Sequence, residues 1–220
     1  MAVRSNAKLG YWLALVLVLA TLNYVGRFAG GDTDDGDLLY QWSTAVAGVI
    51  QAVVIVGLML LIARGLPTRS TFAIRRPSSW GTAVGLDLGV FIGILVLSAA
   101  VSPFISPGKE QGLVPDQWDP SRAAPFVANA VVIIVLAPVS EELTFRGLGF
   151  ALLERFGRWS AIALVGFTFA LVHGLLEGFP ILFAFGAALA FVRARTGSVY
   201  PTILLHACFN AVALIGGVAA

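Results

Sequence analysis

The chain carries two adjacent carboxylates and an arginine inside an apolar run. From Pro138 to Arg146 the sequence reads PVSEELTFR, and the surrounding apolar run begins near Pro125. A charge inside a membrane helix costs at least about 2 kcal/mol unless it is paired or hydrated. Three charges this close together therefore require either a set of structural partners or a function.

The rest of the composition indicates a membrane protein. Of the 220 residues 58% are hydrophobic, the mean hydropathy is +0.90, and only 12% are charged, against roughly 25% in a soluble domain. Such a chain cannot cover a soluble surface with polar groups. The basic residues lie in short stretches between apolar segments and the net charge is +2, which argues against a nucleic-acid partner. The single cysteine, Cys208, permits no intrachain disulfide.

The apolar segments predict an all-α, polytopic transmembrane bundle of about seven helices. The predicted spans are 9–28, 41–63, 81–101, 125–150, 159–176, 181–192 and a last helix that opens at 201. The sixth is short enough to suggest tilt. We expect one membrane domain over 1–220, with three N-terminal helices and an outer loop in 1–124 and a core that carries the glutamate pair in 125–220. The first helix lacks a clear cleavage site and is interpreted as retained.

Charge predicts the orientation of the bundle. An odd number of spans places Lys8, Arg64 to Arg76, Arg155/Arg158 and Arg193/Arg195 on one side, which the positive-inside tendency makes cytoplasmic together with the N-terminus. The acidic segment 30–37 and the C-terminus then lie outside. We expect this acidic segment to be a solvated loop, and the 102–124 loop leaves open a short interfacial helix around Trp118.

Asp87 lies near the start of the third span. It could belong to a polar site, but an interfacial acid close to Arg75 and Arg76 is the favoured interpretation.

Helical geometry separates the roles of the two glutamates. Glu142 and Arg146 are four residues apart and share a helix face, so an ion pair between them is expected. Glu141 is rotated by about 100° from Glu142 and projects elsewhere, which makes it a candidate acid or base. Pro138 should kink or begin the helix just before the pair. The alternative is that both acids serve only packing and topology.

Both histidines of the chain also lie in apolar segments. Phe169 and His173 are four residues apart on one predicted helix, and His206 and Asn210 are four apart on another. An imidazole and an amide on one face can present donors to one point, as an oxyanion site requires. Structural hydrogen bonding between helices is the plainer explanation of each pair. We expect the helices to bring both histidines to Glu141.

Other hydrolase chemistries find weaker support. No His-Glu-x-x-His string occurs, although two histidines and a glutamate leave zinc open. Neither Ser140 nor Ser198 lies in a Gly-x-Ser-x-Gly elbow. An aspartate pair is missing, because Asp87 is the only aspartate within a predicted span. Cys208 should point away from His206 and Asn210.

Taken together, the three motifs resemble those of the CAAX prenyl protease and bacteriocin-processing family, also called CPBP or Abi proteins. They are Glu141-Glu142-x-x-x-Arg146, Phe169-x-x-x-His173 and His206-x-x-x-Asn210, in the family's order and spacing. The resemblance covers roughly 125 to the C-terminus, and the first three helices carry no assigned motif.

The resemblance implies an intramembrane glutamic-type endopeptidase, in a family formerly described as metalloproteases. It implies that Glu141 and His173 activate a water, that His206 and Asn210 stabilise the oxyanion, and that Glu142, Arg146 and Phe169 support the site without a metal cofactor. The substrate would be a membrane protein or peptide, lipidated in some members. A non-catalytic scaffold or bacteriocin-immunity protein is the alternative. The small size favours a prokaryotic plasma membrane.

Overall fold

The computed structural model describes residues 2–29, 35–105 and 117–219. Its described part is helical and contains no strand, which confirms the predicted all-α bundle. The helices are α1 (Ala2–Ala29), α2 (Trp42–Ile62), the single turn α3 (Thr68–Thr71), α4 (Trp80–Val101), α5 (Pro120–Phe156), α6 (Arg158–Val172), α7 (Phe179–Thr196) and α8 (Tyr200–Ala219). Seven are long, as predicted.

Five of these helices, α1, α2, α4, α5 and α7, are long and apolar enough to cross a membrane. The protein is therefore an integral membrane protein. Helix α7 was expected to be short, but it extends over 18 residues. The prediction ended this helix at 192 because the charged Arg193 follows. In the structure Arg193 is buried within the last turn of α7 and lies over the Phe150 ring, 5.3 Å from the centroid.

Helix α5 is longer than the predicted 125–150, at 37 residues. Asp119 caps its start, where its carboxylate accepts from the Ser121 N–H at 2.9 Å. Hydrogen bonds from Ser121 and Arg122 lower the pKa of Asp119 to about 2. Of the residues around Trp118, those at 117–119 are described, and they precede this start without forming a helix. Part of each predicted loop, 30–34 and 106–116, lies outside the described residues.

Helix α5 is also irregular in a way that the sequence analysis did not predict. Two π-helical stretches, Val132–Leu136 and Leu143–Gly149, flank the α-helical segment Ala137–Glu142. Pro138 opens that segment, as expected, but the chain continues through it as one helical element. A π-turn redirects backbone carbonyls and side chains, and such turns are frequent at functional sites.

Helix α6 ends earlier than predicted, at Val172 instead of 176. Gly174 ends it with a left-handed backbone, φ +66°. Its 15 residues give a length of about 22 Å, shorter than the hydrocarbon thickness of about 30 Å. His173 therefore lies in a turn at membrane depth and not inside a helix. Irregular backbone at that depth is tolerated where it is buried in protein or lines a cavity.

The basic residues that the sequence analysis assigned to one side gather at one end of the bundle, whereas Arg27 and Arg122 lie at the other end. The Lys8 ammonium donates to the carbonyls of Ile62 and Arg64, each at 2.7 Å, and Arg155 donates to the Asn6 side chain at 2.6 Å. Arg75 donates to the Gly197 carbonyl at 2.7 Å. We call this the basic end. Helices α1 and α6 both start there and run in the same direction.

Small residues let the central helices approach closely. A Cβ added at Gly166 would lie 2.7 Å from the Ala187 nitrogen, and one at Gly186 would lie 2.9 Å from the Phe169 ring. Contacts of this kind hold membrane helices together where the hydrophobic effect cannot. They leave the Gly186 carbonyl accessible to a side chain from α5.

Candidate active site

Glu142 forms a buried brace between α5 and α8. Its Oε1 accepts from Arg146 Nη1 at 2.8 Å and faces His206 Nδ1 at 2.9 Å. The Glu142 and Arg146 side chains are fully buried. Arg146 Nη2 also donates to the Gly186 carbonyl at 2.9 Å, which extends the brace to α7. The ion pair expected from the four-residue spacing is present.

Glu141 lies beside this brace but does not join it. Its side chain is 26% exposed, and its Oε2 lies 4.0 Å from His173 Nε2 and 3.9 Å from His206 Nε2. This buried oxygen has no hydrogen-bond partner among the described residues. Three helices or their ends thus bring one carboxylate oxygen and two imidazole nitrogens to a common point, as the sequence analysis predicted.

The partners of the histidines define their tautomers. His173 Nδ1 lies 2.6 Å from the Phe169 carbonyl, which can only accept, so this nitrogen carries a proton. His206 Nδ1 likewise faces the carboxylate of Glu142 and donates to it. When the rings are neutral, both Nε2 atoms therefore present lone pairs towards Glu141.

Asn210 has a partner that the sequence analysis did not predict. Its side-chain N–H donates to the Ile133 carbonyl at 2.9 Å, and within the described part of the chain it forms no hydrogen bond to Glu141 or to either histidine. The Ala137 N–H bonds to the Val132 carbonyl five residues back. The next donor in that pattern would be Pro138, which has no N–H. Asn210 thus satisfies a carbonyl that the π-turn and the proline leave without a partner.

Phe169 packs at the centre of the site. It is fully buried, and the Arg146 guanidinium lies over its ring at 4.2 Å from the centroid. Its ring centroid is 4.6 Å from that of His173 and 5.6 Å from that of His206. One phenyl ring therefore contacts the arginine of the brace and both histidines.

Two residues of α1 contact the site and were missed in the sequence analysis. Trp12 is fully buried and donates to the Thr144 carbonyl at 3.0 Å, next to the glutamate pair. The Asn23 amide donates to the Val172 carbonyl, directly before His173. The sequence did contain a signal for them, because a tryptophan and an asparagine lie inside the first predicted apolar helix, at 9–28. Neither belongs to a motif, so the sequence could not indicate their partners.

A cavity of about 260 Å³ leads to Glu141 and His173. Its wall includes Asn23 and Arg27 from the last turns of α1, and Leu175 beyond the end of α6. These helix ends lie opposite the basic end. The sequence predicts the opposite, because Glu141 lies 14 residues before Arg155 and His206 lies 11 residues after Arg195. That prediction is wrong, since the early end of α6 determines where the access lies.

The remaining candidates have structural explanations. The Ser140 hydroxyl donates to the Ala137 carbonyl at 2.9 Å, and the Ser198 hydroxyl donates to the Arg75 carbonyl at 2.5 Å. Cys208 is exposed, away from the site. Asp87 is partly buried within α4, where its Oδ1 has no hydrogen-bond partner and it forms no ion pair with Arg75 or Arg76 among the described residues. The described residues of the chain contain no group of three His, Cys, Asp or Glu side chains arranged to hold a metal.

The C-terminal part of the chain matches a known protein family. Residues 123–212 match the family model described as type II CAAX prenyl endopeptidase, Rce1-like. The resemblance drawn from the motifs is confirmed. The matched residues include both glutamates, both histidines and Asn210, and leave α1 to α4 outside.

A curated relative extends the similarity over most of the chain. The "Putative membrane peptidase YdiL" of Bacillus subtilis (strain 168) is 26% identical over 204 residues, covering 90% of this chain and 82% of its own length. No solved structure matches. At the level of the family, the chain is related to membrane proteases.

Proposed function

We propose that this protein is an intramembrane endopeptidase in which Glu141 and His173 activate a water for attack on a peptide bond. The observation that supports this most strongly is the buried Glu141 Oε2 atom, which has no hydrogen-bond partner among the described residues and faces two imidazole Nε2 atoms at 3.9 and 4.0 Å. Separations of this size suit groups that share a bridging water instead of bonding directly.

The proposed step is a general-base addition. Glu141 takes a proton from the water while the water oxygen attacks the peptide carbonyl carbon and the C=O π electrons move to the oxygen. The Nε2 lone pair of His173 orients the water or shares its proton. The tetrahedral intermediate then collapses, the C–N bond breaks, and the proton passes to the leaving amine. No redox partner or cofactor is required.

The oxyanion would be stabilised by α8. With its Nδ1 proton bound to Glu142, His206 can donate from Nε2 only when the ring is protonated. The Glu142 carboxylate accepts the hydrogen bond from Nδ1 and orients the ring, and Arg146 holds the carboxylate in place. Asn210 has a second side-chain N–H beyond the one bound to Ile133, and this N–H is the one assigned to the oxyanion.

The substrate class follows from the depth and lining of the cavity. The site lies below the end of the short helix α6, and its wall mixes Asn23, Gln51 and Arg27 with Leu19 and Ile55. An extended peptide with its backbone bonded to polar groups and its apolar parts in the bilayer suits such a wall. We propose a peptide segment of a membrane-associated protein, lipidated or not.

The test is peptide cleavage by the purified full-length protein in nanodiscs, with products identified by mass spectrometry. A library of membrane-anchored peptides should yield discrete products that are lost in Glu141→Ala and in His173→Ala. Exposed Cys208→Ser, on the same helix as His206, is the matched control and should cleave normally. Cleavage that survives in both site variants would contradict the roles of Glu141 and His173, and a lack of products from the unaltered protein would favour a scaffold.

Chelation separates two forms of the mechanism. The proposal predicts full activity after exhaustive chelation and no stoichiometric zinc in the protein. If chelation removes activity and zinc restores it, then Glu141, His173 and His206 are metal ligands and the metal activates the water.

A further inference from the structure

A second cavity, of about 380 Å³, lies at the basic end, away from the active site. Its wall includes three arginines, Arg75, Arg76 and Arg195, and no acid. The other lining residues are Ser78, Ala194, Thr196 and Gly197. We propose that this cavity binds the phosphate of an anionic lipid headgroup.

The backbone around the cavity is tightly fixed. The segment after α3 is joined to the α7–α8 turn by four hydrogen bonds. They run from the Val199 N–H to the Ala73 carbonyl at 3.1 Å, from Arg75 Nε to the Gly197 carbonyl at 2.7 Å, from the Ser198 hydroxyl to the Arg75 carbonyl at 2.5 Å, and from the Ser78 N–H to the Thr196 carbonyl at 3.2 Å. The arginines therefore extend from a rigid junction.

Backbone strain is concentrated at the same junction. Ala73 is fully buried and has a positive φ of +50°, a conformation that costs a non-glycine residue about 1 kcal/mol or more. Its carbonyl accepts from both the Arg75 and Val199 N–H groups. Strain of this kind persists only where the surrounding structure imposes it, and it is common at ligand clamps.

The charges of the cavity lack an acidic counterpart. Arg75, Arg76 and Arg195 form no ion pair within the described residues, and the buried Arg193 lies close enough to Arg75 for the two charges to repel. Positive residues are common at helix ends, but this tendency alone does not explain why three guanidiniums line one cavity. Guanidinium groups are well suited to bidentate bonding of a phosphate.

The position of the cavity favours a lipid as the source of the phosphate. Trp80 and Tyr200 begin α4 and α8 beside the junction, and both are exposed. Aromatic residues with this placement mark the level of lipid headgroups. The phosphates of the bilayer therefore lie at the height of the cavity.

The test uses the full-length protein in detergent and measures its unfolding temperature during titration with phosphatidylglycerol or phosphatidylcholine. Phosphatidylglycerol should raise the temperature and phosphatidylcholine should not. The double variant R76Q/R195Q, which leaves the Arg75 bond to Gly197 intact, should bind phosphatidylglycerol about tenfold more weakly. The matched control R69Q/R158Q removes two exposed arginines of the same end outside the cavity, and should bind within about twofold of the unaltered protein.

Two results would overturn the proposal. Equal weakening in R76Q/R195Q and R69Q/R158Q would show that only overall charge attracts the lipid. Equal stabilisation by inorganic phosphate at the same concentration would assign the cavity to soluble phosphate. Both outcomes are independent of peptidase activity.

Discussion

At the scale of single residues, the site depends on a buried brace in which Glu142 is paired with two positive or proton-donating groups. Glu142 accepts from Arg146 and bonds His206 through the same oxygen, so removing either positive partner leaves charge in a medium that cannot hydrate it. Arg146→Met should therefore lower the free energy of unfolding by about 3–5 kcal/mol. Thermal unfolding in detergent measures this.

The double variant Glu142→Gln/Arg146→Met provides the control. It removes both charges, so it should lose less stability than Arg146→Met alone. If the double variant loses as much stability as Glu142→Gln and Arg146→Met lose in sum, the account of Glu142 and Arg146 as one pair is contradicted.

Asn210 allows its structural and catalytic roles to be separated. Asn210→Leu should cost about 1–3 kcal/mol of stability because the Ile133 carbonyl loses its donor. It should also lower the turnover number by about 10²–10³ if the amide supplies an oxyanion donor. Pro138→Ala restores a backbone N–H near that carbonyl.

In the Asn210→Leu background, Pro138→Ala should therefore recover part of the lost stability but none of the turnover. Both quantities are measured on the same purified proteins. Recovery of turnover together with stability would show that Asn210 acts only on the backbone.

At the scale of elements, α1 supports the site from outside the matched family region. Trp12 donates to the Thr144 carbonyl, and its ring packs against Gly149 in the second π-turn of α5. Trp12→Phe removes the N–H and retains most of the apolar contact, so it should cost about 0.5–1.5 kcal/mol of stability. Turnover should fall more than apparent substrate affinity, because the change acts through the position of Glu141.

The control for this prediction is Trp159→Phe, at an exposed tryptophan on α6. It should leave unfolding temperature and turnover within experimental error. An equal effect of the two substitutions would contradict a specific role for Trp12.

The sequence predicted the elements that carry the motifs better than it predicted their ends. The apolar runs located all seven long helices, and the four-residue spacings located the Glu142–Arg146 pair. The π-turns of α5 could not be predicted, because the donors to carbonyls within them, Asn210 and Trp12, lie far away in the chain. The early end of α6 at Gly174 depends on one positive φ angle, which hydropathy does not report.

At the scale of the whole molecule, the basic end and the access to the site lie at opposite ends of the bundle. If the basic end is cytoplasmic, as the positive-inside tendency predicts, the cavity beside Glu141 faces the outer half of the membrane. In a Cys208→Ser background, Asn23→Cys should react with a membrane-impermeant thiol reagent added from outside, and Arg195→Cys only with reagent that reaches the cytoplasm. The reverse pattern would contradict the predicted orientation.

The central claim is that Glu141 is the base that activates the water. Single-turnover cleavage by Glu141→Gln, compared with the unaltered protein and with Glu154→Gln as the matched control, tests it most directly. The account predicts that Glu141→Gln slows cleavage by about 10²–10⁴ with an unchanged unfolding temperature, and that Glu154→Gln cleaves normally. A folded Glu141→Gln protein that cleaves within about twofold of the normal rate would contradict it.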